Sequence, residues 1–397
     1  MLSNRVTNLK PSPTLSLFTK VKELREKGHD VLSLTVGEPD WDTFEPIKEA
    51  GIKAIQGGHT KYTPSNGLPE LREVICQQTI LDLGCHYTPE QVTVSVGGKF
   101  ILYSALQSLV NPGDEVVIPA PYWVSYPSMV ELAGGKPVIV RCGSGAGFKM
   151  TPEALDKAIT TKTKVVILNS PSNPSGAVYS LDELKAITEV LKNHTHVVIL
   201  SDDIYNRLVF EGDLAPHILQ AEPSLHERTI VINGVSKTYS MTGWRLGWAL
   251  GPLPVIKAMT NLQSQSVSCA SPFTQMASIE AINSGKEFLA PYLKKLSLRK
   301  KLVMDRLNSF SELQVQEPKG AFYAFPDIRK LCGRGFKGHA LEDCGELAKY
   351  LLQEELVAVV PGKAFGEPGF FRMSFALDDA RLGKALTRIE TFICRLD

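Results

Sequence analysis

Short apolar, β-branched runs punctuate the first two-thirds of the chain: Val92–Val96, Glu115–Ile118, Pro137–Val140, Lys164–Leu168, Val197–Leu200, Thr229–Ile232 and Leu246–Leu250. Each is too short and too rich in valine and isoleucine for a helix. An almost unbroken apolar run is also the pattern of a strand covered on both faces. Amphipathic stretches lie between them, at Lys99–Leu109, Val124–Ala133, Pro152–Ile159 and Leu181–Lys192. Thr151 before Pro152 and Ser180 before Leu181 supply hydroxyls at the expected helix starts. This alternation predicts an α/β fold with a mainly parallel sheet, whose ligands gather at the carboxyl ends of the strands. Past residue 270 the pattern changes. Phe273–Ser284, Lys286–Phe310, Glu342–Glu355 and Asp379–Arg395 read as helices, with short strands at Gly320–Phe325, Val357–Val360 and Phe371–Phe375. The expected division is a large domain over 36–270 and a smaller α+β domain over 271–397. Residues 1–35, an extended Lys10–Pro13 arm and a helix from Leu15 to Lys27, are expected to join the smaller domain.

Composition narrows the function by exclusion. Across 397 residues, 43 Lys and Arg face 42 Asp and Glu, a formal net charge of +1. That balance argues against a broad nucleic-acid surface or a membrane-binding patch, both of which need a basic excess. No apolar run approaches the roughly 20 residues of a membrane span. Leu15–Phe18, followed by Lys20, Lys22 and Glu23, is too short for the core of a signal peptide. Seven scattered cysteines without a C-x-x-C pair exclude a disulfide scaffold and a zinc ribbon, and suit a reducing cytoplasm. The expectation is a cytoplasmic protein with no metal, nucleic-acid or membrane partner.

Chemistry-bearing residues cluster just after the apolar runs. In Gly234–Gly247 (GVSKTYSMTGWRLG) a lysine follows a strand directly and an arginine comes eight residues later. Such a lysine either caps the strand at the surface or, among small and aromatic neighbours, loses its proton readily enough for Schiff-base chemistry. Asp202-Asp203-Ile204-Tyr205 follows another strand, where an aspartate can cap a helix or face a ligand. Asn169–Gly176 (NSPSNPSG) is a proline-rich turn or a ligand loop. Gly97-Gly98-Lys99 opens an apolar helix; it is no G-x-G-x-x-G fingerprint, but free amides there suit a phosphate.

The Gly234–Gly247 run resembles the cofactor-lysine region of class I aminotransferases at every position of that motif, and the other segments fall where the family has them. The resemblance implies fold type I of the pyridoxal 5'-phosphate-dependent transferases, with a seven-stranded sheet. It implies that Lys237 carries the cofactor and shuttles the substrate's α-proton, and that Asp202 keeps the ring nitrogen protonated. Tyr205 and Asn173 would face the ring hydroxyl, and Trp123 would stack on the ring. Gly97, Gly98, Lys99, Ser236 and Arg245 would surround the phosphate, joined by Tyr62 from the neighbouring subunit of a homodimer. Arg372 and Asn173 would bind the substrate α-carboxylate, with Gly37 closing over it, and Pro171 and Pro174 would follow cis bonds. Asp203 departs from the family's usual glutamate, and Gly234 stands where other branches place a phosphate-binding serine.

Lys10, Thr14 and Lys99 match positions that read the distal carboxylate in bacterial I-beta aspartate aminotransferases. The implied activity is ping-pong transfer of an amino group from aspartate or glutamate to a 2-oxo acid. Aromatic, alanine, kynurenine or prephenate specificity would share the same core. A β-lyase on this fold would release ammonia instead. A cofactor-binding regulator would need a basic DNA-binding domain, for which no room is expected before Val31.

Overall fold

The computed structural model describes residues 1–397 apart from Asn8, Lys10, Ser12 and Lys286. Seven strands build the central sheet: β1 (Val92–Ser95), β2 (Glu115–Ala120), β3 (Lys136–Arg141), β4 (Thr163–Asn169), β5 (Val198–Asp202), β6 (Thr229–Gly234) and β7 (Gly247–Leu250). Their order is β1-β7-β6-β5-β4-β2-β3. Strands β2 to β6 run parallel, while β7 pairs antiparallel with both β6 and β1. The continuous apolar runs are explained by the two covered faces. Val165 and Ile167 of β4 enter one core with Ile101, Leu106 and Met259, while Val166 and Leu168 enter the other with Ile47, Leu71 and Ile187. Strand β3 differs: as the outermost strand of this sheet among the described residues, it has only half-buried and exposed positions.

Helix starts follow the capping chemistry. Ser180 Oγ accepts from Glu183 N (3.2 Å) while Glu183 Oε2 accepts from Ser180 N (2.8 Å), a reciprocal cap worth about 1 kcal/mol. Thr151 Oγ1 accepts from Ala154 N at 3.2 Å. The helix expected from Glu342 begins instead at Cys344, because Asp343 caps it through the amides of Gly345 and Glu346. Two others run Ala290–Leu307 and Pro272–Asn283, each with proline in its first turn. At the amino end the helix is Pro13–Glu26, likewise opened by proline, after a short helix Asn4–Thr7 that the sequence pattern did not suggest. Lys10 and Ser12 of the expected extended arm lie outside the described residues.

Leu32–Ser33 pairs in parallel with Val357–Ala358, so the amino-terminal segment is built into the carboxyl-terminal part of the fold. There Tyr323–Ala324, Phe371–Ser374 and Val360–Pro361 form an antiparallel sheet over a separate apolar core of Phe322, Phe336, Leu386 and Phe392. One ionic clamp, centred on buried Arg299, bears on the site. Arg299 holds Asp40 through two bonds of 2.7 and 2.8 Å and Asp379 through a third of 2.6 Å. It thereby fixes the Gly37–Asp40 loop against the last helix, Asp379–Cys394.

Candidate active site

A cavity of about 330 Å³ opens where the parallel strands end. Strands β1, β2, β4, β5 and β6 deliver Gly98, Trp123, Asn173, Asp202 and Lys237 to it in turn. Because β7 runs the opposite way, Arg245, two residues before its start, arrives at the same edge. Thr14, Gly37, Lys99, Tyr205, Ser236 and Arg372 also line the cavity. Tyr62 does not; its side chain is 90% exposed. Lys10 lies outside the described residues. Peptide bonds preceding Pro171 and Pro174 are cis, as expected, and so is the one preceding Pro121.

At the floor, Asp202 is buried, and its carboxylate accepts a bond of 2.6 Å from the Tyr126 hydroxyl. Burial pushes the Asp202 carboxyl up to about 6, with the Tyr126 bond pulling the other way. Lys237 reaches across the cavity to donate 2.5 Å to the Gly37 carbonyl. Loss of hydration brings its ammonium down to about 8, and Arg245 and Arg372 push in the same direction. An amine with that value is partly free at neutral pH, as a nucleophile toward an aldehyde must be.

The phosphate-sized corner is shaped by residues without side chains. Gly97, at φ +100°, caps the helix Gly98–Leu109, and a β-carbon there would sit 2.7 Å from Arg245 Nη2. A β-carbon on Gly247 would lie 2.4 Å from the Gly98 nitrogen, and one on Gly234 2.8 Å from the Leu246 carbonyl. Arg245 itself adopts φ +57°, a conformation few non-glycine residues hold without cost, and its guanidinium bonds the Thr242 and Val96 carbonyls. The Lys99 ammonium stands 4.9 Å from the Trp123 ring centre.

On the opposite wall, buried Arg372 donates to Asn173 Oδ1 (3.0 Å) and to the Thr35 carbonyl (2.5 Å). Among the described residues its buried Nε has no hydrogen-bond partner, and the guanidinium lies against the rings of Tyr323 and Phe365. Asn173 is held in turn, its amide donating to Asn169 Oδ1 at 3.0 Å while Asn169 Nδ2 bonds the Asp202 carbonyl at 2.8 Å. Among the described residues, none of Lys99, Lys237, Arg245 and Arg372 makes an ion pair with a carboxylate. Four cations in one cavity, one of them a fully buried guanidinium, call for anions brought by ligands.

Sequence reading missed three members of this constellation. Tyr126 lies one helical turn beyond Trp123 and packs edge-on against it, a spacing that could have been noticed. Tyr323 lies 118 positions from Tyr205, whose hydroxyl it meets at 2.8 Å, and Thr35 acts only through its carbonyl. Neither leaves a local signal.

A resident pyridoxal 5'-phosphate fits these residues. The glycine cradle with Ser236 and Arg245 suits its phosphate, Lys237 its aldehyde, and the buried Asp202 its ring nitrogen. The family model described as aminotransferase class I and II matches residues 29–389. The chain belongs to that family and is thus a pyridoxal-phosphate-dependent aminotransferase. It is 48% identical over 396 residues to an aspartate/prephenate aminotransferase of Cereibacter sphaeroides, covering 100% of this chain and 99% of the relative. To an aspartate aminotransferase of Geobacillus stearothermophilus it is 45% identical, covering 99% and 98%. Among solved structures, the aspartate aminotransferase of Rhizobium meliloti superposes with a TM-score of 0.97 at 41% identity, with both chains fully covered. The aspartate aminotransferase of Thermus thermophilus with maleate gives 0.91 at 39%, covering 98% and 99%.

Proposed function

We propose that this aminotransferase takes the amino group of aspartate or glutamate and passes it to a 2-oxo acid. The observation that carries this reading is the set of four cavity cations without carboxylate partners. A phosphate would occupy Ser236 with Arg245, a substrate α-carboxylate would occupy Arg372, and Lys237 would be taken up by the cofactor's aldehyde. Lys99 is left over, and a second substrate carboxylate answers it; Thr14 lines the same cavity. An apolar side chain would leave that ammonium unpaired, which disfavours such donors.

Pyridoxal 5'-phosphate supplies an electron-accepting ring that makes the substrate's α-hydrogen acidic. Asp202, held by Tyr126, would keep a proton on the ring nitrogen. Tyr205 and Asn173 would hold the ring hydroxyl, and Trp123 would cover the ring. Arg372 and Asn173 orient the α-carboxylate, and Gly37 closes over it. Lys237 would hold the cofactor's aldehyde carbon and, once the substrate amine had displaced it, would carry the substrate's α-proton to that carbon, on the far side of the substrate nitrogen. Substrate and 2-oxo acid use the same groups in succession, which gives ping-pong kinetics. Tyr62, exposed on its own subunit, would complete the phosphate site of a partner in a homodimer. The large domain of 36–270 would carry the cofactor, while 271–397 with residues 1–35 would form the smaller one. A cytoplasmic setting accords with seven unpaired cysteines and with the absence, among the described residues, of any helix long and apolar enough to cross a membrane.

Lys99→Ala tests the substrate class. Losing one charge-assisted contact is expected to lower kcat/KM for L-aspartate and L-glutamate roughly 10- to 100-fold. The constants for L-tyrosine and L-alanine should change far less. Prephenate, which also carries a distal carboxylate, should behave like the acidic substrates when offered as acceptor. An equal loss with all donors would mean that Lys99 serves the phosphate alone.

A further inference from the structure

Tyr323 has been given no role in the chemistry so far, yet it touches three residues that have one. Its hydroxyl lies 2.8 Å from that of Tyr205. Its ring supports the Arg372 guanidinium, 4.6 Å from the ring centre. A β-carbon on Gly37 would come within 2.7 Å of its hydroxyl oxygen, so the phenol packs directly against the loop that receives Lys237. Both phenols are buried, and among the described residues neither hydroxyl has another hydrogen-bond partner. The charged and titratable groups around the pair are Arg372, Asp202 and Glu38.

Two hydroxyls at this distance share one hydrogen bond, and either can donate it. If Tyr205 donates to Tyr323, its proton is spent. If Tyr323 donates, the Tyr205 proton is free to face the cavity, and a hydroxyl that is already accepting a bond is a better donor. Arg372 favours the second arrangement, because a cation on the face of the Tyr323 ring draws electron density from its oxygen and makes it the stronger donor.

We propose that Tyr323 is a positioning residue that donates to Tyr205, so that the Tyr205 hydroxyl is committed to the ring hydroxyl of the cofactor. The inference rests on the functional reading above, in which Tyr205 faces that group. It links the carboxylate-binding wall to the cofactor-binding floor through a cation–ring contact from Arg372 to Tyr323 and a hydrogen bond from Tyr323 to Tyr205.

The test is the pH titration of the holoenzyme's visible band, with the double-mutant cycle of Tyr323→Phe and Tyr205→Phe. Donation from Tyr205 spreads negative charge away from the ring oxygen, and that charge holds the proton on the neighbouring Lys237 nitrogen. Weaker donation therefore leaves the proton held more tightly, and the midpoint moves up. Tyr323→Phe, which keeps the ring under Arg372, is expected to raise the midpoint by roughly half to one pH unit, the worth of one neutral hydrogen bond. In the Tyr205→Phe background the same change should have no further effect. Gly37→Ala, which drives a methyl group into the Tyr323 hydroxyl, should shift the wild-type midpoint in the same direction and provides a second route should Tyr323→Phe fold poorly. An unchanged midpoint in Tyr323→Phe, or a shift that persists without the Tyr205 hydroxyl, overturns the proposal. A wild-type protein without a visible band would instead overturn the cofactor assignment on which it rests.

Discussion

Lys237→Ala is expected to lose amino transfer by at least about 10⁴-fold, because one side chain both holds the cofactor and moves the substrate proton. The variant should still fold and still bind pyridoxal 5'-phosphate through the glycine cradle, Ser236 and Arg245. It should lack the visible band that depends on a bond to Lys237. The chemistry behind the expectation is also testable without turnover. Burial sets the Lys237 ammonium at about 8 against an ordinary 10.5. In cofactor-free protein, capture of Lys237 by phosphate-free pyridoxal and borohydride should therefore rise with pH to a midpoint near 8, read as labelled peptide by mass spectrometry. A midpoint above 10 would mean that the amine is an ordinary solvated lysine.

The same shift has a cost in stability, with a definite sign. The folded chain binds the Lys237 proton less tightly than the unfolded one, so the buried ammonium destabilises the fold below about 8, and the penalty fades as pH climbs toward 10.5. Asp202 works in the other sense. Its folded value of about 6 lies above the ordinary 3.8, so its penalty is absent at low pH and develops as pH rises through that interval. Cofactor binding should relieve both by supplying partners to each charge.

Arg372→Lys is expected to lower kcat/KM roughly 10²- to 10³-fold for acidic and neutral donors alike, in contrast to Lys99→Ala. The guanidinium already uses one nitrogen on Asn173 and another on Thr35, with Nε buried between the Tyr323 and Phe365 rings and, among the described residues, unpartnered. Lysine cannot match a planar fork held in that way. A single ammonium would leave either the carboxylate or Asn173 without its donor. The visible band should survive, since Arg372 lies on the substrate wall. Steady-state constants for L-aspartate and L-alanine check the claim, and a loss confined to one donor would contradict it.

The parts of this site that could be read from sequence are those in which chemistry and chain order coincide. Gly234–Gly247 carries a strand end, Lys237, the αL turn at Arg245 and two close-packed glycines within fourteen residues, so its meaning is local. The covered strands were legible for the same reason, since two buried faces leave a continuous apolar run. Strand β3 was caught by its apolar centre but not by its exposure, which follows from its outermost place in the sheet among the described residues. Helix starts were legible where a hydroxyl cap stands beside the first helical residue, as at Thr151 and Ser180, and one moved by two residues where Asp343 caps the helix starting at Cys344. Contacts across the fold left no such trace. Tyr126 meets Asp202 over a gap of 76 positions, Tyr323 meets Tyr205 over 118, and Arg299 reaches Asp40 over 259. Each is a plausible core or surface residue until the strands bring its partner near.

Neutral charge overall thus hides a strongly polarised cavity, and the central claim is that this polarity serves amino transfer from an acidic donor. A single-turnover reaction of holoenzyme with L-aspartate, without any 2-oxo acid, tests that most directly. The account predicts loss of the visible band together with one equivalent of oxaloacetate per subunit and no free ammonia. A band that L-aspartate and L-glutamate leave unchanged, or ammonia released in step with product, would contradict it.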